Sequence, residues 1–179
     1  MTFLTLIPAD DPTLHWRQPS ILGSRHVMAS DRGELAAMDF TNGLSSSASA
    51  SCASGVWQFL VKGSWQPRVI VTRSGQDAPF ATLEITNAWL GNRAELTTDD
   101  AIAAVWESTG FLSGSARWVT TDDQPLVTFR SGTDEGGAVN WLKTQCRVDL
   151  SPNGYEHPHR DLLLCIGWVL TVLQANPAI

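Results

Sequence analysis

Cysteine is scarce in this chain, and the three that occur, Cys52, Cys146 and Cys165, are an odd number at wide spacings. Disulfide-dependent secreted domains carry a dense and even set of cysteines, so paired disulfides do not organise this fold. No basic residue adjoins Cys52 or Cys165, and each thiol is most simply a small buried apolar side chain. These cysteines fit a reducing compartment, and we expect a cytoplasmic protein.

Charge is also sparse, since charged residues make up only 17% of the chain. The 12 Lys and Arg stand against 18 Asp and Glu, for a formal net charge of −6. That charge repels phosphate backbones unless the basic residues gather on one face, so we expect no nucleic-acid partner. Hydrophobic residues reach 43% of 179 positions, which is enough for one domain with a sizeable core.

The sequence lacks a long hydrophobic run. Its longest apolar stretch, Leu162 to Leu173, would rise about 18 Å as a helix, against a bilayer core of about 30 Å. At the amino end, the apolar residues Phe3 to Ile7 follow no basic residue and precede no small-residue cleavage site. We therefore expect neither a signal peptide nor an integral membrane protein.

Local signatures of catalysis are missing too. The sequence contains no glycine-rich nucleotide motif, no G-x-S-x-G, no H-E-x-x-H and no C-x-x-C. His157 and His159 could offer two imidazoles to a metal, but a divalent site needs more ligands, so we interpret them as solvated residues at a helix start. Acidic pairs such as Asp122-Asp123 stand in predicted turns, outside the spacing of an EF-hand loop. We expect no enzyme activity, no cofactor and no metal.

Short segments rich in Val, Ile, Thr, Trp and Phe fill the chain from Arg25 to Leu150, with turn residues between them. This spacing is typical of an all-β sandwich or barrel. The serine-rich stretch 45–54 alternates Ser with Ala, which indicates a strand of small side chains; a flexible loop is the alternative. We predict about twelve strands: 25–30, 34–40, 47–54, 56–62, 68–73, 80–85, 94–98, 102–108, 116–120, 126–131, 139–144 and 146–150.

The end of the chain changes character. Pro158 fits the first helical position, Asp161 complements the positive helix end, and Asn176-Pro177 stops the helix, which predicts a helix at about 159–174. Within its apolar run only Gly167 and Thr171 depart from large or apolar residues. A helix that is apolar around its whole circumference must be surrounded.

No second helix of similar length exists to form a bundle, so the strands must surround this one. The predicted fold class is therefore all-β with one helix: a closed antiparallel β-barrel of about twelve strands that encloses a C-terminal hydrophobic helix. We assign residues 1–24 to an N-terminal extension and residues 25–179 to the single barrel domain.

Three tryptophan-bearing segments precede the terminal helix: Gly55-Val56-Trp57-Gln58-Phe59, Ala104-Val105-Trp106 and Ala116-Arg117-Trp118. With about twelve short strands and the helix that begins Asp161-Leu162-Leu163-Leu164, this layout resembles the tubby C-terminal-domain-like superfamily. That group includes phospholipid scramblases, LURP-one-related plant proteins and small bacterial members. The resemblance runs from about Arg25 onward. It implies a twelve-stranded barrel around a central helix, and an association with phosphoinositide headgroups, membrane lipid or calcium.

The resemblance also implies a headgroup site of Lys and Arg on neighbouring mid-barrel strands. The nearest match is Lys62, Arg68 and Arg73, from which one phosphate could accept hydrogen bonds. Arg68 and Arg73 are an odd number of positions apart and should face opposite sides of a strand, so separate solvated charges are the simpler interpretation. The calcium segment of the scramblases has no counterpart, since Asp149 and Glu156 are the only acids near its place.

Eight tryptophans require an interpretation of their own. We expect four of them in the core, because they fall on apolar faces: Trp57, Trp106, Trp118 and Trp168. Trp65 and Trp89 stand in predicted turns, and if exposed together they would form an aromatic patch for a partner or a membrane interface.

The expected function is that of a binding or scaffolding module without catalysis, because a plugged barrel leaves no deep pocket. Its outer surface would recognise anionic phospholipid headgroups or a protein partner. One alternative is a hollow barrel that carries a small hydrophobic ligand, with the helix packed outside. Another is a hydrolase on a β-sandwich, whose pocket would gather at least two of His15, His26 and the acidic turns.

Overall fold

The structure, a computed structural model, describes residues 3–6, 13–20, 23–41, 47–63, 67–86, 93–99, 101–108, 114–131 and 145–175. Two helices lie in these ranges, α1 at Pro152–Glu156 and α2 at Arg160–Ala175. The strands of these ranges are β1 Leu14–Arg17, β2 Arg25–Ser30, β3 Gly33–Phe40, β4 Ser47–Cys52, β5 Gly55–Lys62, β6 Arg68–Arg73, β7 Ala81–Thr86, β8 Arg93–Thr98, β9 Ala101–Ser108, β10 Ser115–Val119, β11 Pro125–Ser131 and β12 Gln145–Leu150.

The strands form a closed antiparallel barrel in chain order, and the pairing of β1 with β12 completes the circle. The predicted fold class is thereby confirmed. Alternation decides which side chains enter the barrel: in β5, Trp57 and Phe59 are buried while Gln58 and Leu60 are exposed. The tight turn from β4 to β5 ends at Gly55, whose φ of 124° is one that residues with a Cβ rarely adopt.

The first strand is the main difference from the expected layout. β1 lies within the segment 1–24 that the sequence analysis placed outside the barrel domain. Leu14 and Trp16 are buried there, whereas His15 and Arg17 are exposed. Four residues are too short a run to indicate a strand by alternation alone, and only the partners β2 and β12 define it. The predicted strand at 139–144 lies outside the described residues.

The helical end begins differently from the prediction. A short helix, α1, precedes the long one, and α2 begins at Arg160, so Pro158 lies in the turn between them. The sequence of α1 contains Pro and Gly, which are poor helix formers, so the sequence does not predict this helix. Ser151 caps it, because its Oγ accepts a hydrogen bond from the Gly154 amide at 3.0 Å.

Helix α2 fills the barrel. Its residues are buried without interruption from Leu162 to Val172, so no face of this stretch is exposed to solvent. Different walls hold it: Trp168 stacks on Trp16 of β1 with ring centroids 5.4 Å apart, and Trp118 of β10 donates its indole N–H to the Leu163 carbonyl at 2.9 Å. The prediction that the sheet surrounds this helix is confirmed.

The predicted core tryptophans are also where we expected them. None of the four is more than 3% exposed. Trp106 and Trp118 meet edge to face with centroids 5.2 Å apart, an arrangement that aromatic quadrupoles favour.

The two ends of the barrel differ. We call the end that holds the β4–β5 turn, the end of β12 and the start of α2 the entry mouth, and the opposite end, where β5 ends at Lys62, the far mouth. Phe80, next to β7, packs at the entry mouth against His159, with ring centroids 5.6 Å apart. The far mouth contains the charged ends of β5 and β6.

Gly167 marks the closest approach of α2 to the wall. A Cβ at this position would lie 2.4 Å from Cζ of Phe129 and 2.8 Å from Nε1 of Trp118. We expect Gly167→Ala to lower the free energy of unfolding by about 1–3 kcal/mol through overpacking. Helix propensity alone would instead raise it by about 1 kcal/mol. Urea unfolding followed by tryptophan fluorescence measures the sign, and a gain in stability would contradict this packing.

His26 is a polar residue inside the apolar core. It is 5% exposed, and its ring centroid lies 5.4 Å from that of Trp168 and 5.1 Å from that of Phe40. Burial lowers the pKa of His26 to about 4, against a smaller opposing effect of the Asp39 carboxylate. The folded protein therefore holds this imidazole neutral under conditions in which an exposed histidine would take up a proton.

We expect acid to destabilise the fold through His26. Between pH 6.5 and about 4 the unfolded chain binds a proton at this position that the folded chain does not, so stability falls as the pH falls. Across this range the loss amounts to about 3 kcal/mol. Urea unfolding at several pH values measures this pH dependence of stability. His26→Phe should lose the part that His26 contributes, whereas His15→Gln, on the exposed face of β1, should keep it. Equal slopes for the wild type and His26→Phe would contradict the assignment.

Candidate functional site

Lys62 and Arg68 lie directly opposite each other where β5 ends and β6 begins. Both are exposed and point away from the core, because Val69 next to Arg68 is buried. Arg68 is also in register with Glu84 of β7, which is exposed on the same outer face. Like charges directly opposite repel across strands, and the nearby carboxylate offsets part of that repulsion.

Apolar side chains continue this outer face toward the middle of the barrel. Leu60 pairs with Ile70 on the next outward rung. Leu60 is 40% exposed, and Val56, near the other end of β5, is 38% exposed. We call Val56, Leu60, Lys62, Arg68 and Ile70 together the β5–β6 face.

The neighbouring strand explains why these apolar residues are uncovered. The outward residues of β4 are Ser47, Ser49 and Ser51, which are in register with β5 and too small to shield it. One contact crosses between the two strands, in which Gln58 donates from Nε2 to the Ser49 Oγ at 3.2 Å. The predicted strand of small side chains in 47–54 is confirmed as β4.

Arg73 lies apart from Lys62 and Arg68. It is in register with Trp57 on the inward side of the sheet, and about 17 Å of strand separates it from Arg68. Its guanidinium lies at the entry mouth, 4.8 Å from the Trp57 ring and 4.7 Å from the Phe80 ring, where cation–π attraction holds it. The structure thus brings together two of the three predicted phosphate ligands and places the third at the other end.

The predicted aromatic surface patch lies outside the described residues. Trp65 belongs to the range 64–66 and Trp89 to the range 87–90, and neither range is described.

The four histidines lie at three separate places in the barrel. His15 is exposed on β1 while His26 is buried inside, so no pocket gathers these two. His157 and His159 are half-buried at the rim of the entry mouth, around the turn that precedes α2. Burial lowers the pKa of His157, although its contact with the Ala103 carbonyl opposes this. Within the described ranges, no three His, Cys, Asp or Glu side chains converge as metal ligands.

Ion pairs between strands are a feature that the sequence analysis missed. Glu107 accepts from Arg117 at 2.9 Å and approaches Arg93 at 3.5 Å. Asp149, the acid near the place of the calcium segment, lies 2.8 Å from Arg147 and 3.1 Å from Arg130. Two guanidinium groups thus already neutralise this carboxylate. Glu107 of β9 links β8 to β10, and Asp149 of β12 is linked to β11, so the strand register brings these members together. Arg147 and Asp149 are two residues apart on β12 itself.

A small cleft opens at the entry mouth between the wall and α2. Its volume of about 10 Å³ is close to the space that one water molecule needs. It is lined by Leu4, Leu6, Met28, Leu35, Cys52, Ala53, Asp161, Leu164 and Cys165. A hydrophobic cargo molecule would need far more room.

Neither described helix is long and apolar enough to cross a membrane. No protein-family model matches the chain, and no curated protein matches it either. Among solved structures, the chain is similar to a crystal structure of a protein from Arabidopsis thaliana, at 15% sequence identity and a TM-score of 0.48, over 95% of this chain and 96% of that chain.

Proposed function

We propose that this protein is a non-catalytic binding module of tubby-like or LURP-one-like type, which attaches to anionic phospholipid surfaces in the cytoplasm through its β5–β6 face. The observation that carries the proposal is the combination on one face of a Lys–Arg pair with exposed Leu60 and Val56 and half-buried Ile70. A protein partner that presents a phosphate group would use the same two cations, and it is an outcome of the test below.

The charged part of this face matches the headgroup layer of a membrane, and its apolar part matches the boundary between headgroups and acyl chains. Lys62 and Arg68 can donate hydrogen bonds to headgroup phosphates, while Leu60 and Val56 can enter the boundary between headgroups and acyl chains. The cations lie at the far mouth, with the apolar residues one and three rungs further along β5. The module would therefore dock on its side, with the outer surface of β5 and β6 against the membrane.

Charge determines how strongly the β5–β6 face should bind an anionic membrane. The whole chain carries a net charge of −6, and Glu84 stands beside Arg68, so the attraction is local and salt must weaken it strongly. Each basic residue near an anionic surface contributes about 1 kcal/mol. Binding through this face is therefore reversible and depends on the lipid composition.

The filled interior supports an outer-surface site over the alternatives. A carrier of hydrophobic ligands needs an open lumen, and here the buried residues of α2 occupy that space. A hydrolase needs convergent groups, whereas His15 and His26 face opposite sides of the wall.

Vesicle sedimentation tests the proposal. At low salt the wild type should bind phosphatidylcholine vesicles that contain phosphatidylserine or a phosphoinositide, and it should bind pure phosphatidylcholine much more weakly. The double variant Lys62→Ala/Arg68→Ala should lose about 30-fold in affinity, because two contributions of about 1 kcal/mol are removed. Leu60→Ser should weaken binding at low and at high salt alike.

A matched control is available on the opposite wall. Arg130 and Arg147 are also directly opposed on neighbouring strands, so Arg130→Ala/Arg147→Ala removes the same charge from another face and should leave vesicle binding almost unchanged. Equal losses in the two double variants would show that net charge rather than this face drives binding. Absence of sedimentation at low salt would refute the lipid proposal.

A further inference from the structure

Two cysteines from distant parts of the sequence meet at the cleft of the entry mouth. Cys52 is the last residue of β4 and points inward from the wall, whereas Cys165 lies on α2 and is 0% exposed. Both line the cleft, together with Asp161. Cys52 also packs against the apolar core that includes Cys165, so the wall and the central helix meet where both thiols line one cleft.

The two thiols differ in access. Cys52 is partly exposed while Cys165 is enclosed. The Cys52 Sγ lies 3.1 Å from the Ser54 Oγ and 3.6 Å from the Gly55 carbonyl oxygen, both in the turn after β4. A small solute therefore reaches Cys52 more readily than Cys165.

The two thiols also differ in acidity. The hydrogen bond from Cys165 lowers the pKa of Cys52 to about 6; burial opposes this shift, and Ser54 assists it. The same hydrogen bond and complete burial raise the pKa of Cys165 well above its usual value. Cys52 is thus the more acidic thiol of the pair and Cys165 the less acidic one, which is the division of roles between an attacking and a resolving cysteine.

We propose that Cys52 and Cys165 form a peroxide-reactive pair that closes into a disulfide between β4 of the wall and the central helix α2. The class of co-substrate is a small hydroperoxide, such as hydrogen peroxide, because Cys52 is only partly exposed beside a cleft of about 10 Å³, which leaves little room for a larger oxidant. Bulky disulfides would fit poorly there.

The chemistry balances in two steps. The Cys52 thiolate attacks one peroxide oxygen, the O–O bond breaks, and the departing hydroxide takes up a proton to become water, which leaves Cys52 as a sulfenic acid. The Cys165 sulfur then attacks the Cys52 sulfur and loses its proton, and the S–O bond breaks to release a second water. The two thiols lose two electrons and two protons, and one hydrogen peroxide is reduced to two waters.

The disulfide would link α2 covalently to the wall of the barrel. A bond between residues 52 and 165 closes most of the chain into one loop, which restricts the unfolded state more than a short loop would. Oxidation should therefore stabilise the fold without any movement of the β5–β6 face, so this inference is independent of the lipid proposal.

Peptide mapping by mass spectrometry tests the pair in the intact protein. Treatment of the wild type with hydrogen peroxide should yield a Cys52–Cys165 linked peptide, and the number of free thiols after denaturation should fall from three to one. The melting temperature should rise by roughly 5–10 °C and return on reduction. Cys146→Ala, which removes the buried cysteine of β12, should leave the linkage intact.

A second variant separates the two steps. In Cys165→Ala, Cys52 should stop at the sulfenic acid and be trapped by dimedone, while the wild type should give little of this adduct. Alkylation of Cys52 in the same variant should also need a higher pH than in the wild type, because the hydrogen bond that stabilises the thiolate is gone. A wild type that accumulates the dimedone adduct without cross-linking, or that links Cys146 instead, would overturn the proposal.

Discussion

The enclosure of an apolar helix by a closed sheet is the interaction on which the rest of this structure depends. A helix satisfies its backbone hydrogen bonds within itself, so α2 can occupy an apolar lumen that no irregular segment could fill. A barrel of this many strands is too wide for its own side chains to fill. The sheet and the helix therefore each supply what the other lacks, and burial of each large apolar side chain of α2 contributes about 1.5–3 kcal/mol.

This arrangement also decides where chemistry can take place. With α2 in the lumen, polar and reactive groups are left on the outer face, at the rims, or in the seam between wall and helix. The β5–β6 face belongs to the first kind, the cluster of Arg73, Phe80 and His159 to the second, and the pair of Cys52 and Cys165 to the third. Burial inside the barrel disfavours the charged form of a titratable group. His26 therefore stays neutral at a pH at which an exposed imidazole would be charged.

Particular elements show why some predictions from the sequence failed. β1 has four residues, and a run this short carries little periodic signal, so only pairing with β2 and β12 identifies it. α1 contains a proline and a glycine, and its stability comes from the Ser151 cap and from contact of Gly154 with Leu126. The separation of Arg73 from Arg68, by contrast, followed from counting positions along a strand. The exposure of Leu60 could be predicted only with the knowledge that β4, whose outward residues are serines, pairs with β5.

The sequence by itself determined the class of the fold, because a helix that is apolar on every side, with no helical partner and many short strands, has one way to bury itself. It also determined which faces of the strands point inward, since alternation is a local property. Only the tertiary structure decided which residues meet across strands and across the wall. Register placed Asp149 beside Arg130 of the neighbouring strand and Glu107 between Arg93 and Arg117, and the depth of α2 in the barrel brought Cys165 to the cleft that Cys52 lines. These contacts join residues well separated in the chain, and no local pattern encodes them.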